Sequence, residues 1–286
     1  MDDQRGTFYV IATPIGNLQD ITLRALEVLQ NVDAIIAEDT RRSKKLLEAH
    51  DISTPFTRSY YQGAEGRIPW IVDQLNRGRD LALISDAGSP LISDPGFKLV
   101  RAVRAEGLQV VPIPGPSAVT TALMASGQPT DSFVFLGMLP KGKGKKRKVI
   151  DKLKTESRTA VFFESPHRLL DTLSIVKELI PERDLTICRE MTKKHEEFLQ
   201  GKVQDLLEDL EDRERIRGEL TLLVDGASEE DIAATRKEKY SEVPIPDQVK
   251  GMELLKGLSQ KQAMKEVAQL RGISKRDVYD EIIESG

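Results

Sequence analysis

Short apolar runs alternate with stretches whose apolar residues recur at helical spacing. Residues 8–12 form one run, and 21–29 then place Ile21, Leu23, Leu26, Val28 and Leu29 on a helical face. The same unit repeats three times. Residues 32–37 precede a helix from about Ser43, and 81–84 precede one through Phe97, Leu99, Val100 and Val103. Residues 109–113 precede one starting near Ser117. This alternation predicts a largely parallel sheet with helices on both faces. Right-handed crossovers put the four loops after the strands on one edge.

The rhythm changes near residue 128. Gly127-Gln128-Pro129-Thr130-Asp131 is a breaker cluster. Beyond it, strands are expected at 133–136, 160–163, 185–188, 195–199 and 220–224, with helices at 166–180 and 202–213. Strands not each separated by a helix imply a mixed sheet in a second α/β domain. Residues 240–250 read as a linker. The tail has the punctuation helix, Gly272 turn, helix, with Ser274 as N-cap of the last helix. It resembles a helix-turn-helix, the alternative being a hairpin packed on the body. The expected domains are 1–127, 128–239 and 240–286.

The four strand-end loops are where an open α/β sheet binds ligands. They are Ala12-Thr13-Pro14-Ile15-Gly16-Asn17, Glu38-Asp39-Thr40-Arg41-Arg42-Ser43, Ser85-Asp86-Ala87-Gly88-Ser89-Pro90 and Pro112-Ile113-Pro114-Gly115-Pro116-Ser117-Ala118. Three are small and Gly/Pro-rich, and the second is charged. None carries G-x-G-x-x-G or a P-loop, which excludes the commonest dinucleotide and phosphoryl-transfer sites. One Cys and three scattered His (His50, His167, His195) exclude the common zinc sites. No G-x-S-x-G elbow is present.

Bulk properties add limits. The 286 residues suggest about two domains. A net charge of -4 gives no global basic field, so nucleic-acid binding must be local. Cys188, alone, reads as a small core residue in a reducing compartment. Asp2, Asp3 and Arg5 open the chain without a signal-length apolar stretch, and no run approaches the length of a membrane span. The expectation is a cytoplasmic protein without a membrane partner.

The wording of the loops resembles the tetrapyrrole methylase superfamily, and within it the ribosomal RNA small subunit methyltransferase I family. Beyond the four loops, Ser93-Asp94-Pro95-Gly96, Phe135-Leu136-Gly137-Met138-Leu139-Pro140, Phe163-Glu164-Ser165-Pro166-His167-Arg168 and Arg189-Glu190-Met191-Thr192-Lys193 carry the match. The resemblance implies a two-domain α/β methyltransferase with S-adenosylmethionine in the cleft. It implies 2'-O-methylation of a cytidine ribose in the decoding region of 16S rRNA, and a homodimer. Cofactor contacts are then expected from Pro14, Asp86, Gly88, Ser89, Ser117, Ala118, Phe163, Met191, Leu220 and Leu222.

Lys141-Gly142-Lys143-Gly144-Lys145-Lys146-Arg147-Lys148 is locally basic and, with its two glycines, reads as a mobile loop that neutralises phosphates. Arg42 joins it as an RNA contact. A ribose hydroxyl must be positioned and lose its proton as it attacks. Glu38, Arg41, Glu164 and His167 are the catalytic candidates, with an interdomain ion-pair network as the alternative. A polyanionic precorrin would also suit basic residues, so a tetrapyrrole methyltransferase stays open, as does a non-enzymatic ribosome- or RNA-binding protein.

Overall fold

The computed structural model describes residues 5–57, 60–61, 63–241 and 243–284; Asp2 and Asp3 lie outside them. Strands β1 (Phe8–Ile11), β2 (Ala34–Ala37), β3 (Leu81–Ile84) and β4 (Val110–Ile113) form a parallel sheet in the order β2-β3-β1-β4. β2 and β3 are buried along their whole length, as strands covered on both faces must be. Helices α1 (Leu23–Asn31) and α2 (Thr40–Ala49) bury Ala25, Leu29, Leu46 and Leu47 on one face. On the other face α3 (Ile68–Asn76) and α4 (Phe97–Ala105) bury Ile71, Leu75, Leu99 and Val103. Helix α3 is an addition to the sequence reading, although Ile68, Ile71, Val72 and Leu75 hold helical spacing. Helix α2 starts at Thr40, earlier than expected, because the Asp39 side chain caps it by accepting from the Arg41 N–H at 2.9 Å. Arg41 and Arg42 are therefore first-turn helical residues.

After α5 (Ala118–Ser126) the chain enters a mixed sheet. It contains β5 (Phe133–Met138), β6 (Thr159–Glu164), β7 (Asp184–Arg189), β8 (Glu197–Lys202) and β9 (Leu220–Val224), ordered β5-β6-β9-β7-β8. Only β5 and β6 run parallel; β9 is antiparallel to β6 and β7. One face meets α6 (Lys143–Asp151), α7 (Leu169–Leu179) and α8 (Val203–Glu211) through Phe162, Leu222, Leu173, Val176 and Leu206. The opposite face presents Val161, Cys188 and Leu223 to Val119, Ala122 and Leu123 of α5. Neighbouring residues of β9 thus serve two different cores, as the period of two requires. Cys188 is fully buried, and burial pushes its thiol up to about 12, in keeping with a core role.

Helices α9 (Glu229–Ser241), α10 (Ile245–Lys256), α11 (Gln260–Arg271) and α12 (Lys275–Glu284) complete the chain. The stretch 240–250, expected as a linker, is largely helical. Arg271 holds it by donating to Gln248 Oε1 at 2.9 Å and to the Tyr240 carbonyl at 2.8 Å. Gly272 adopts φ 64° between α11 and α12, and Ser274 caps α12 by accepting from the Asp277 N–H at 3.1 Å. On α12, Lys275 and Arg276 are outnumbered by Asp277, Asp280, Glu281 and Glu284. That balance disfavours a DNA-reading helix. Among the described residues no helix is long and apolar enough to cross a membrane.

Candidate active site

Because β1 to β4 are parallel, their four loops share one edge. The loops after β1 and β3 are stitched together: the Thr13 N–H donates to the Gly88 carbonyl at 2.8 Å, and the Gly88 N–H returns to Thr13 at 3.0 Å. Gly88 does this at φ 77°, where a side chain is strained, and a Cβ there would lie 3.3 Å from Ile15. Ser89 Oγ donates to the Pro116 carbonyl at 3.3 Å and ties in the loop after β4. The glycine of the first loop has a different purpose. A Cβ on Gly16 would lie 2.5 Å from Lys193 Cγ and 2.7 Å from Thr192 Oγ1. It lets the two sheets' loops meet, and the Asn17 N–H donates to Thr192 Oγ1 at 3.0 Å.

Between these loops and the ends of β5, β6 and β9 lies a cavity of about 370 Å³. Ile15, Ile92, Met138, Phe163 and Leu220 give it apolar walls, and Gly88, Ser117 and Ala118 give it a small-residue side. Ser117 and Ala118 open α5, where the first helical N–H groups lack intrahelical partners. S-adenosylmethionine fits this donor set: a flat adenine for the apolar walls, acceptors for the helix start, and a cationic sulfur near carboxylates.

Glu164 also lines the cavity, but it is not free. Its side chain is fully buried. Lys146 Nζ lies 3.0 Å from Oε2, Thr172 Oγ1 lies 2.7 Å from the same oxygen, and the Ser165 N–H and Arg168 occupy Oε1. The catalytic candidate Glu164 thus sits in a buried ion-pair network, the alternative reading of this cluster. The same pair corrects Lys146, expected on RNA: its side chain is 3% exposed. The expected mobile loop is helix α6, which turns Lys146 inward with Ile150 and leaves Lys141, Lys143, Lys145 and Lys148 exposed. Arg147 is paired with Glu178. The helix begins five residues after Met138, which lines the cavity.

A second pocket of about 250 Å³ adjoins the first and shares Ile15, Ala87 and Glu219 with it. Its walls include Pro14, Arg42, Ser43, Lys45, Asp86 and Lys193. Pro14 and Asp86, expected on the cofactor, thus face this neighbour. Asp86 Oδ1 accepts from the Asp39 N–H at 3.1 Å, and Oδ2 lies 3.4 Å from Arg42 Nη1. Ser43 is 4% exposed and its Oγ has no hydrogen-bond partner.

Asp94 lines the first cavity and Asp86 the second, and Glu38 is close enough to both to feel their charge. Burial and the charge of Asp86 push Glu38 up. Burial and the charge of Glu38 push Asp94 up to about 6. Sequence reasoning saw Asp94 only as a helix-opening residue. A carboxylate three residues before the helix at the end of a strand-edge loop was the available signal.

The remaining candidates separate. Gly88, Ser89, Ser117, Ala118, Phe163 and Leu220 line the first cavity together. Leu222 is displaced, its side chain packed in the core behind β9, and Met191 packs between the sheets with Ile15. His167 is exposed on the turn before α7 and lines neither pocket. Arg41 is turned to Asp39 at 2.9 Å, which is held to about 2 by that hydrogen bond.

The family described as Tetrapyrrole (Corrin/Porphyrin) Methylases matches residues 7–207. Among curated relatives, a protein named Ribosomal RNA small subunit methyltransferase I from Halalkalibacterium halodurans is 43% identical over 278 residues, covering 97% of this chain and 95% of its own. One of the same name from Thermotoga maritima is 46% identical and covers 77% of this chain and 99% of its own. Among solved structures, a cobalt precorrin-4 methyltransferase superposes with TM-score 0.58 at 16% identity, over 77% of this chain and 94% of that one. That likeness shows the fold. The chain belongs to the tetrapyrrole methylase family, in its ribosomal RNA small subunit methyltransferase I branch.

Proposed function

We propose that this chain is a cytoplasmic, homodimeric enzyme that methylates the 2'-oxygen of a cytidine ribose in the decoding region of 16S rRNA, with S-adenosylmethionine as donor. The observation that carries the reading is the placement of a cofactor-sized cavity beside a polar pocket, with an exposed basic helix beginning five residues after the cavity residue Met138. The relatives named for ribosomal RNA are 40–46% identical, whereas the precorrin enzyme is 16% identical, so the RNA substrate is favoured over a tetrapyrrole.

Ser117 and Ala118 would offer helix-start N–H groups to the donor's acceptor atoms, and Ile15, Ile92, Phe163 and Leu220 would flank its adenine. When bound, the donor supplies an electrophilic methyl group on a cationic sulfur. The chain does the rest. Lys141, Lys143, Lys145, Lys148 and Arg42 engage phosphates, which sets register without reading sequence. The loops exclude water and hold the hydroxyl in line. A carboxylate of the coupled group Glu38, Asp86 and Asp94 accepts its proton.

Two measurements test this. Calorimetry should show one S-adenosylmethionine bound per chain; no binding heat sinks the cofactor assignment. Nucleoside mass spectrometry of small-subunit RNA should show one 2'-O-methylcytidine lost when the gene is deleted. An unchanged spectrum sinks the substrate.

A further inference from the structure

The first cavity is lined by three carboxylates of different standing. Glu164 is locked by Lys146 and Arg168, and Glu219 is paired with Lys193 at 2.9 Å. Among the described residues Asp94 has no cation paired with it; the Ser85 hydroxyl lies beside it, itself donating to the Gly88 carbonyl at 3.2 Å. It sits on the wall of the donor cavity, while Asp86 of the same cluster faces the adjoining pocket. Carboxylates repel RNA phosphates, so an unpaired Asp94 on this wall, coupled to Glu38 and Asp86, needs a chemical reason.

The adjoining pocket independently points to a polar ligand. Ser43 Oγ lines it, is more than nine-tenths buried, and has no partner. Buried hydroxyls are ordinarily satisfied, so an orphan facing a pocket marks where a ligand's polar atom belongs.

We propose that Asp94 is the proton acceptor of the methyl transfer, receiving the proton of a ribose hydroxyl presented from the adjoining pocket. This rests on the ribose methyltransferase reading above. The O–H bond breaks, its proton passes to an Asp94 carboxylate oxygen, and its electron pair stays on the ribose oxygen. That oxygen forms the new C–O bond while the donor's carbon–sulfur bond breaks with its pair left on sulfur. Asp94, now neutral, returns the proton to water.

The groups facing Asp94 set its working range. Burial raises it first, and the negative charges of Glu38 and Asp86 add to that, against the polar Ser85 hydroxyl beside it. Glu164 and Glu219 across the cavity are neutralised by their lysine and arginine partners, and Arg42 is turned to Asp86. With Asp94 near 6, the proton-accepting form is lost as pH falls through that value.

The test is Asp94→Asn in the full chain. Single-turnover methylation of small ribosomal subunits should fall by about 100-fold or more. Calorimetric affinity for S-adenosylmethionine should stay within about threefold. The wild-type rate should drop on the acid side of about pH 6. Glu38→Gln, which keeps Asp94, should move that drop to lower pH by removing a negative neighbour. In cofactor-free protein with ¹³C-labelled aspartate, one carboxyl resonance titrating near 6 should vanish in Asp94→Asn. Near-normal turnover in Asp94→Asn overturns the proposal while the ribose reading stands. Loss of cofactor affinity instead makes Asp94 a donor contact and also overturns it. A wild-type enzyme that methylates no ribose removes the functional reading, and the proposal with it.

Discussion

The two pockets share a wall and the same sheet edge, yet they are built from different materials. The larger is made by loops of Gly, Pro and Ser that leave room for a ligand, closed by apolar residues of the second sheet. The smaller is made where a loop turns at once into a helix whose first turn carries charge, so its lining is Arg42, Lys45 and Asp86. Their ion pairs differ too. Lys146–Glu164 behind the larger cavity is dry, while Arg42–Asp86 in the smaller has 69% and 21% of its side chains exposed. Parallel strands fix where ligands bind, and the first residues after each strand fix which kind.

The sharpest way to break that contrast is through the two ion pairs. Lys146→Ala leaves a buried carboxylate with half its cationic support, and should destabilise the chain by about 3 kcal/mol in urea denaturation. Arg42→Ala should change stability by less than about 1 kcal/mol. Equal effects would erase the distinction. Next is Gly88→Val, which puts a branched side chain at φ 77° against Ile15. S-adenosylmethionine affinity by calorimetry should weaken by about tenfold or more, with RNA affinity unchanged. Replacing Lys143, Lys145 and Lys148 together by Gln should lower the salt dependence of RNA binding by roughly two to three counterions and leave cofactor affinity alone. The smallest effect is expected for Asp86→Ala, which should alter cofactor affinity by no more than about threefold. A tenfold loss there would move Asp86 back to the donor's side of the wall.

Much of the architecture was legible because parallel strands buried on both faces leave long apolar runs, and because Gly88 and Ser117 stand where strand-edge loops need them. The pairing order β2-β3-β1-β4 was not legible, since adjacency is decided by packing across the sheet. Lys146 looked like one cation among six. Only its phase gives it away: positions 146, 150 and 153 share a helix face with Ile150 and Leu153. Glu164 went astray for the matching reason, since Lys146 of the preceding helix and Arg168 and Thr172 just after β6 meet at its carboxylate only once the helices pack. Asp94 was in view but mute. Its environment is set by burial first and then by Glu38, which arrives at the end of β2, the strand beside β3.

The inward lysine also bears on how this chain can change over generations. Under the proposed RNA contact, surface cations on α6 can be exchanged or reordered, because phosphates read only charge. An insertion of one residue between Gly142 and Lys146 is another matter: it would turn the lysine by about 100° around the helix and leave Glu164 facing a vacant slot. Drift in this stretch is therefore free in spelling and fixed in length.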